Sequence, residues 1–359
     1  MVSNLPKTYT TLTLAARPKS TIVPGETFQT KTTNTTPSAS SLKNGQVLYQ
    51  TLYLSLDPAM RGWLNDTRSY IKPVQIGEVM RGSSVGRVIA SKSSMLKTGD
   101  LVVTNSAGWA EYAVLNDKDC EAVPETGEGI RRSAIDALSV LGLTGLTAYF
   151  GLLKIGDPKP GDLVVVSGAA GATGSVVGQI AKLKGATVIG IAGSDDKCSW
   201  LTQDLGFDVA LNYKSSTFAK DFRAATKKQL IDVYFDNVGG EILDLALSRA
   251  APFARFVMCG GISQYNAAVQ KGPKNYLMVV SMRIKMQGFI VFDFEKEYGH
   301  ARQELAQWVK DGKIKRGETV IKGGLKEAEK ALVSLYEGRN TGKMLVEVAE
   351  IQDGAKAKL

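Results

Sequence analysis

The chain has 359 residues, of which 44% are hydrophobic and 22% charged, a composition typical of a folded globular protein rather than a disordered or fibrous one. Its length allows two domains, each with its own core. No apolar run approaches the about 20 residues of a membrane-spanning helix, and the first residues lack the apolar block of a secretory signal. We therefore expect no membrane association and a cytoplasmic location. Ala357, Lys358 and Leu359 resemble the Ser-Lys-Leu peroxisomal address, which leaves the peroxisome as an alternative.

Basic residues outnumber acidic residues by 44 to 35, which gives a net charge of +9. Such an excess could serve nucleic acid, an anionic membrane surface or an anionic cofactor. The basic residues are spread along the chain, and no recognisable nucleic-acid module interleaves them with aromatic residues. The charge therefore favours a solvated basic surface with one phosphate-binding pocket over a nucleic-acid partner.

Residues 1–125 are predicted to form a compact β domain. Short β-rich segments separated by Gly, Asn, Asp and Pro occupy residues 46–56, 86–90, 100–104 and 109–115. From about Arg131 the pattern becomes helical, because Ala134, Leu138, Leu141 and Leu146 are spaced like one face of a helix. We interpret this change as the entry into a second domain.

The second domain opens with residues 163–178, LVVVSGAAGATGSVVG. An apolar run breaks at Gly168, Gly171 and Gly174 and passes directly into a helical pattern. With the apolar run at 186–192, this stretch predicts a βαβ unit. Such a junction points the backbone N–H groups of a helix N-terminus at the turn, and the helix dipole favours an anion there. The turn therefore predicts a phosphate-binding site.

Further apolar segments at 208–212, 231–237, 255–260 and 285–292 alternate with helical patterns, which predicts a parallel sheet covered on both faces. Ligands of such sheets lie at the carboxyl ends of the strands. The polar and glycine residues just past those ends are Ser194, Asn237, Gly239, Gly240, Gly260 and Gly261. A last strand at 344–348 is expected to rejoin the β domain, which residues 300–359 would complete, leaving 126–299 as the dinucleotide-binding domain.

The end of the second strand of this βαβ unit, at residues 191–194, predicts whether the dinucleotide is NAD or NADP. An acidic residue there would favour NAD, but the strand ends in Gly193 and Ser194 without a carboxylate. Lys197 follows on the next helical turn, where a cation could pair with the 2′-phosphate of NADP; the alternative is an ordinary exposed helix lysine. Asp195 and Asp196 fall where acidic residues also stabilise a helix N-terminus. NADP(H) is therefore the favoured cofactor.

A zinc site is not expected. Zinc sites are built from clustered Cys and His ligands, whereas this sequence has one His, His300, and three isolated cysteines, Cys120, Cys198 and Cys259. The same cysteines predict no disulfide framework. Any hydride-transfer chemistry is therefore predicted to be metal-free.

Several motifs resemble one family. The run SGAAGATGSVVGQIAKLKGATVIGIAGSDDKC, followed by YFDNVGGEILDLAL, CGGISQYN, GFIVFD and TGKMLVEV, resembles the zinc-independent branch of the medium-chain dehydrogenase/reductase superfamily. Within it, the sequence is most similar to the prostaglandin reductase, leukotriene B4 12-hydroxydehydrogenase and alkenal double-bond reductase group. This resemblance, which also covers LYLSLDPAMRGW, implies a GroES-like β domain, a Rossmann domain, NADPH as cofactor and a homodimer.

The resemblance also implies site residues. It places cofactor contacts on Gly168, Gly171, Thr173, Gly174, Ser194, Lys197, Tyr213, Asn237, Cys259, Gly260, Ile262, Tyr265, Phe289, Val291 and Asn340. It makes Tyr265 the catalytic residue that assists the carbonyl or enolate oxygen. It lines the substrate pocket with Ala59, Arg61, Ser83 and Tyr265. The alternative for Tyr265 is a structural tyrosine in a loop.

The implied reaction is reduction of the carbon–carbon double bond of α,β-unsaturated aldehydes or ketones. Two departures concern the substrate: Ala59 replaces a tyrosine that plant double-bond reductases usually carry in a DPYMR run, and Ser83 or a neighbour replaces another tyrosine. The alternatives are a quinone reductase, a secondary-alcohol dehydrogenase on the same scaffold, and a nucleotide- or RNA-binding protein without catalysis.

Overall fold

The computed structural model describes residues 5–34, 37–124 and 126–351 of the chain. The tripeptide Ala357 to Leu359 lies outside these ranges, so the location of the protein stays a prediction. The described chain divides into two compact units. Unit 1 contains the described residues up to Leu138, Thr319–Arg339 and those from Met344 onward, and unit 2 contains Ser139–Glu318 and Asn340–Lys343.

Strands dominate the first part of the chain, and strands and helices alternate in the middle part. The first part forms β1 (Tyr9–Leu14), β2 (Phe28–Thr33), β3 (Gln46–Ser55), α1 (Met60–Trp63), β4 (Ser84–Ser91), β5 (Leu101–Thr104), β6 (Tyr112–Asn116), β7 (Cys120–Ala122) and α2 (Ile130–Leu138). The middle part forms α3 (Leu143–Phe150), β8 (Leu163–Val166), α4 (Ala172–Leu183), β9 (Thr187–Ala192), α5 (Asp195–Ser199), β10 (Val209–Asn212), α6 (Phe218–Ala225), β11 (Ile231–Asp236), α7 (Gly240–Leu247), β12 (Ala250–Met258), α8 (Ile262–Tyr265), α9 (Met278–Ser281), β13 (Lys285–Gly288) and α10 (Tyr298–Lys310). The last part forms β14 (Glu318–Ile321), α11 (Ala328–Tyr336) and β15 (Lys343–Glu347). Short 3₁₀ segments occur at Ala39–Ser41, Asp117–Asp119, Val291–Glu297 and Leu325–Glu327, and π-helical segments at Gly151–Gly156 and Trp200–Asp204.

Unit 1 is built on a seven-stranded sheet in the order β14-β15-β3-β4-β5-β7, with β6 also paired to β3. β1 and β2 form a separate antiparallel pair. Strand β15 pairs antiparallel with β3, with Leu345 opposite Ser55. The prediction that the last strand rejoins the β domain is therefore confirmed.

Unit 2 contains a six-stranded parallel sheet in the order β10-β9-β8-β11-β12-β13. All four residues of β8 are buried, and they alternate between two cores: Val164 and Val166 belong to one, and Leu163 and Val165 to the other. Because successive strand residues point to opposite faces, both faces of the sheet are covered. The strand order reverses between β8 and β11, as in a Rossmann fold, and the predicted fold class is confirmed.

The limits of the two units differ from the predicted domain limits of 125 and 299. Helix α2 belongs to unit 1, because Ala134 and Leu138 pack with Tyr53 and Val85 of its sheet. Helix α10 belongs to unit 2, because its buried face joins the core that contains Val164 and Val166. Helical periodicity indicates that a helix has a buried face, but not which core buries it.

Within the described ranges, no single helix has both the length and the apolar composition of a membrane span. The helical segments Ile130–Leu138 and Leu143–Gly156 have this length and composition only when they are counted as one segment, and a bend of 50° separates them.

Candidate active site

The glycine turn joins β8 to α4. Gly168 has φ +59°, in the left-handed region that favours glycine. Gly174 lies in the first turn of α4, where a Cβ atom would overlap the carbonyl oxygen of Gly168 and come within 2.8 Å of the Cα atom of Ala169. Gly171 is the N-cap and has no side chain to cap the helix. The turn therefore packs closely against the start of α4, where backbone N–H groups lack intrahelical partners.

Asn340 lies beside this turn, although it is far away in sequence. The N–H of Gly342 donates to the carbonyl oxygen of Ala170 at 2.8 Å, and Gly342 forms a parallel bridge with Gly171. Asn340 is buried, and its Nδ2 donates to the carbonyl oxygen of Gly342 at 2.7 Å. Thr173 is half-buried in the first turn of α4. The structure thus brings the predicted contacts Gly171, Thr173 and Asn340 to one end of α4.

The ends of β8 and β11 meet at the point where the strand order reverses. Asn237 follows β11, and its backbone N–H donates to Ser167 Oγ at 2.9 Å. Its Nδ2 donates to the carbonyl oxygen of Ser167 at 2.7 Å. A Cβ atom on Gly168 would lie 3.3 Å from the Cβ of Asn237. Since ligands of open parallel sheets bind at this reversal, Asn237 and Gly168 lie where a dinucleotide is expected.

Asp236, which the sequence predictions did not single out, holds this junction together. Its buried carboxylate accepts hydrogen bonds from Ser167 Oγ at 2.8 Å, Tyr234 OH at 3.1 Å and the N–H of Gly239 at 3.0 Å. Burial raises the pKa of Asp236, and the hydrogen bonds from backbone N–H groups oppose that shift. The available sequence signal was a carboxylate at the end of the apolar run Val233–Phe235. Asp236 and Ser167 therefore hold Asn237 and Gly239 in place at the strand ends.

The segment after β12 continues the same surface. The N–H groups of Cys259 and Gly260 both donate to the carbonyl oxygen of Asp236 at 2.9 Å. Tyr265 OH accepts a hydrogen bond from the N–H of Gly261 at 3.1 Å. A Cβ atom on Gly260 would lie 3.0 Å from Tyr265 OH and 3.4 Å from the carbonyl oxygen of Asn237. The hydroxyl of Tyr265 thus lies at the strand ends, beside Gly260.

The Cys259 thiol is not prepared for nucleophilic chemistry. Burial raises its pKa to about 12, with a smaller contribution from the charge of Asp236. A thiol with such a pKa stays protonated at neutral pH, and the thiolate is the reactive form. Cys259 therefore contributes the hydrogen bond from its backbone N–H to Asp236 rather than a reactive sulfur.

The ends of β9 and β10 carry Ser194, Lys197 and Tyr213. Ser194 is the N-cap of α5, and its Oγ accepts a hydrogen bond from the N–H of Lys197 at 3.3 Å. The N–H of Tyr213 donates to the carbonyl oxygen of Ala192 at 3.0 Å. A Cβ atom on Gly193 would lie 3.0 Å from the Tyr213 ring, so the ring and the glycine are in close contact. Burial, followed by the charge of Lys214, lowers the pKa of Lys197.

Ile262, Phe289 and Val291 are half-buried residues at the ends of β12 and β13. The N–H of Ile262 donates to the carbonyl oxygen of Asn237 at 3.2 Å, which places it with the Asn237 group. Phe289 and Val291 pack against the core of unit 2, and the Phe289 ring lies 6.5 Å from the ring of Phe235. Their cofactor contacts stay predictions.

The predicted substrate residues Ala59, Arg61 and Ser83 belong to unit 1. Ala59 is half-buried at the N-cap of α1, and Ser83 Oγ donates to Asn105 Oδ1. Arg61 is 3% exposed, and its guanidinium donates to the carbonyl oxygens of Pro18 and Ser20, both at 2.9 Å, and to Asn65 Oδ1. These contacts hold the 18–20 segment in place. These bonds show that Arg61 stabilises unit 1, and the substrate contacts of Ala59, Arg61 and Ser83 stay predictions.

In the part of the chain that the structure describes, no group of three or more His, Cys, Asp or Glu residues is placed to hold a metal ion. His300 is exposed near the start of α10. Because zinc sites are built from such groups, the described residues offer no candidate metal centre.

The sheet order and the glycine turn at the strand reversal define a dinucleotide-binding class of protein. Comparison with protein families agrees: residues 10–123 match the family described as the N-terminal domain of oxidoreductase, and residues 172–309 match the one described as zinc-binding dehydrogenase. The chain belongs to the zinc-independent branch of the medium-chain dehydrogenase/reductase superfamily. The family resemblance predicted from the motifs is thus confirmed.

Three named relatives and one solved structure are similar to this chain over most of its length. The chain is 41% identical to the NADPH-dependent curcumin reductase of Escherichia coli over 94% of this chain and 96% of that protein. It is 40% identical to prostaglandin reductase 1 of Bos taurus over 89% and 93%, and 37% identical to the NADP(+)-dependent 2-alkenal reductase of Nicotiana tabacum over 85% and 88%. The crystal structure of CurA from Vibrio vulnificus in complex with NADPH is 39% identical, with a TM-score of 0.87, over 95% of this chain and 100% of that one.

Proposed function

We propose that this protein is an NADPH-dependent reductase of the carbon–carbon double bond of α,β-unsaturated aldehydes or ketones. Relatives named as curcumin, prostaglandin and 2-alkenal reductases support the substrate class. The observation that carries the proposal is the place of Tyr265, whose hydroxyl lies at the ends of β11 and β12 beside Gly260. A hydrogen-bond donor at this edge of the sheet could act on a substrate that lies next to the cofactor.

The residues present fit NADPH. The close-packed turn at Gly168 and Gly174 leaves backbone N–H groups at the start of α4 for the pyrophosphate. Ser194 and Lys197 supply a hydroxyl and a cation where NAD-binding folds carry a carboxylate. When bound, NADPH supplies a hydride to the β-carbon of the substrate. Without a metal, binding and orientation by these residues would supply the rest of the catalysis.

Tyr265 would act on the oxygen of the substrate. Adding a hydride to the β-carbon moves negative charge to the carbonyl oxygen as an enolate, which a hydrogen-bond donor stabilises. The Tyr265 hydroxyl accepts a bond from the N–H of Gly261, and a tyrosine hydroxyl can act as a donor as well as an acceptor. The α-carbon is then protonated by Tyr265 or by water. The substrate gains one hydride and one proton, its double bond becomes a single bond, and NADPH becomes NADP⁺.

A substrate screen tests this proposal. The purified protein is incubated with NADPH, or separately with NADH, and with an enal, an enone, a quinone or a secondary alcohol, and the products are identified by mass spectrometry and NMR. We expect NADPH to be consumed with the enal and the enone, and the product to keep its carbonyl group. Turnover of the quinone alone, or oxidation of the alcohol with NADP⁺, would assign one of the other oxidoreductase activities. RNA binding that weakens with salt, without turnover of any substrate, would contradict catalysis altogether.

The homodimer implied by the family resemblance stays a prediction. β13 is the last strand of the parallel sheet, and an edge strand can pair with a second copy. Light scattering of the purified protein would give its mass in solution and decide between a monomer and a dimer.

A further inference from the structure

Lys214 directly follows Tyr213 at the end of β10 and was not among the predicted site residues. We propose that Lys214 and Lys197 together form a two-cation site for the 2′-phosphate of NADPH. The inference rests on the proposed cofactor and names Lys214 as a second residue that selects NADPH over NADH. Three observations support it: the position of Lys214 over the Tyr213 ring, the hydrogen bonds of the Asn212 side chain, and the proximity of the two lysine charges.

The Tyr213 ring fixes the side of the sheet on which Lys214 lies. The ring contacts the backbone of Gly193, at the tip of β9, where a dinucleotide-binding fold recognises the adenosine ribose. Lys214 Nζ lies 5.9 Å from the centroid of this ring, within the range of a cation–π contact. The ammonium group of Lys214 therefore lies over the ring that contacts the tip of β9.

Asn212 positions the backbone of Lys214 and also binds the carboxylate of Asp195, in the first turn of α5. Its Oδ1 accepts a hydrogen bond from the N–H of Lys214 at 3.0 Å, and its Nδ2 donates to Asp195 Oδ1 at 2.9 Å. Asp195 could otherwise repel a phosphate or pair with a lysine. Because its oxygen is bound to the amide of Asn212, the carboxylate is tied to the end of β10.

The two lysines repel each other. Burial lowers the pKa of Lys197, and the nearby charge of Lys214 lowers it further. Among the described residues, Lys214 forms no ion pair with a carboxylate. Two cations brought together at a surface are unfavourable unless an anion lies between them. A phosphate monoester, with two negative charges near neutral pH, matches this arrangement.

The test measures binding of adenosine 2′,5′-bisphosphate and of 5′-AMP by isothermal titration calorimetry, at low and at moderate salt. The variants are Lys214→Gln, Lys197→Gln and the double substitution. Lys227→Gln is the matched control, since Lys227 is an exposed lysine that precedes β11, at the end of the sheet where the parallel strands begin, whereas Lys214 follows the end of β10. Each substitution removes one positive charge, so a difference between variants reports position rather than net charge.

We expect Lys214→Gln to weaken binding of the bisphosphate about tenfold, to leave 5′-AMP binding unchanged and to reduce the salt dependence. Unchanged 5′-AMP binding shows that the variant is folded. If Lys214→Gln binds the bisphosphate as tightly as Lys227→Gln does, the role of Lys214 is wrong while the NADPH assignment stands. If the unsubstituted protein binds both nucleotides equally, the NADPH assignment itself fails, and the inference fails with it.

Discussion

The strand ends of unit 2 and the 57–65 region of unit 1 both contain predicted site residues, but they are built differently. In unit 2 backbone contacts place the glycine turn and the segment after β12: Gly342 N–H donates to the carbonyl oxygen of Ala170, and the N–H groups of Cys259 and Gly260 donate to that of Asp236. In unit 1 the predicted residues depend on their side chains: the Arg61 guanidinium is bound to its own unit, and Ala59 has only a methyl group.

Because of this difference, the two regions should respond differently to substitution. A site built from backbone N–H groups and close-packed glycines tolerates few changes, because a side chain would occupy the space of the ligand or of the chain itself. A surface built from side chains can change its ligand with one substitution. We therefore expect substitutions in unit 2 to affect cofactor binding or the reaction itself, and substitutions in unit 1 to affect substrate choice or stability.

The largest effect is expected at Tyr265. Tyr265→Phe removes the hydroxyl that would donate to the enolate, and the loss of one such donor lowers turnover on the order of a hundredfold. NADPH affinity, measured by fluorescence titration, should stay nearly the same. The control is Tyr276→Phe, which removes the hydroxyl of a tyrosine that is 61% exposed. Turnover that is unchanged in Tyr265→Phe would take Tyr265 out of the mechanism.

A smaller effect is expected from Gly174→Ala. The added methyl group would overlap the carbonyl oxygen of Gly168, and overpacking of this kind lowers the free energy of unfolding by about 1–3 kcal/mol. NADPH binding should weaken as the turn shifts. Gly299→Ala is the control, because a Cβ atom there meets no atom within 4 Å, and it should be neutral or slightly stabilising. Chemical denaturation and NADPH titration measure both quantities; equal behaviour of the two variants would contradict a turn that depends on Gly174.

In unit 1, Arg61→Lys tests whether Arg61 is structural. A lysine cannot reproduce the planar set of bonds to Pro18, Ser20 and Asn65, so the free energy of unfolding should fall by about 1–2 kcal/mol. The KM for the enone should not change. Arg68→Lys, at an exposed arginine, is the control. A raised KM with unaltered stability would instead favour the predicted contact of Arg61 with the substrate.

The smallest expected effect concerns Ala59. Ala59→Tyr introduces the ring that plant relatives carry, and it should change the ratio of kcat/KM between a bulky and a small enone by up to about tenfold. NADPH affinity should be unchanged, and Ala16→Tyr, at an exposed position, should leave the ratio as it is. An unchanged ratio in Ala59→Tyr would mean that position 59 does not face the substrate.

The parallel sheet and its glycine turn could be predicted from sequence because their requirements are local. Four consecutive apolar residues in β8 and the glycines at 168, 171 and 174 each satisfy a constraint within a few residues. The predicted end of the last parallel strand was wrong. Residues 285–292 were predicted as one strand, but β13 ends at Gly288 and Val291–Glu297 forms a 3₁₀ helix. Apolar residues there pack on a core without extending the sheet.

Other features depend on contacts between distant segments. The spacing of Ala134, Leu138, Leu141 and Leu146 predicted one helix, whereas α2 ends at Leu138 and α3 begins at Leu143, in the other unit. β1 and β2 were not predicted, because threonine-rich segments with several exposed residues give a weak hydrophobic alternation. Nothing local indicates that Gly342 pairs with Gly171; only the family resemblance pointed to Asn340.

The most direct test follows the transferred hydride. An enone is reduced by the protein with NADPH that carries deuterium at the hydride-donating carbon, and the product is examined by NMR. We predict a saturated ketone with deuterium on the former β-carbon. Deuterium on the carbonyl carbon, in an alcohol that keeps its double bond, would contradict the proposed reaction.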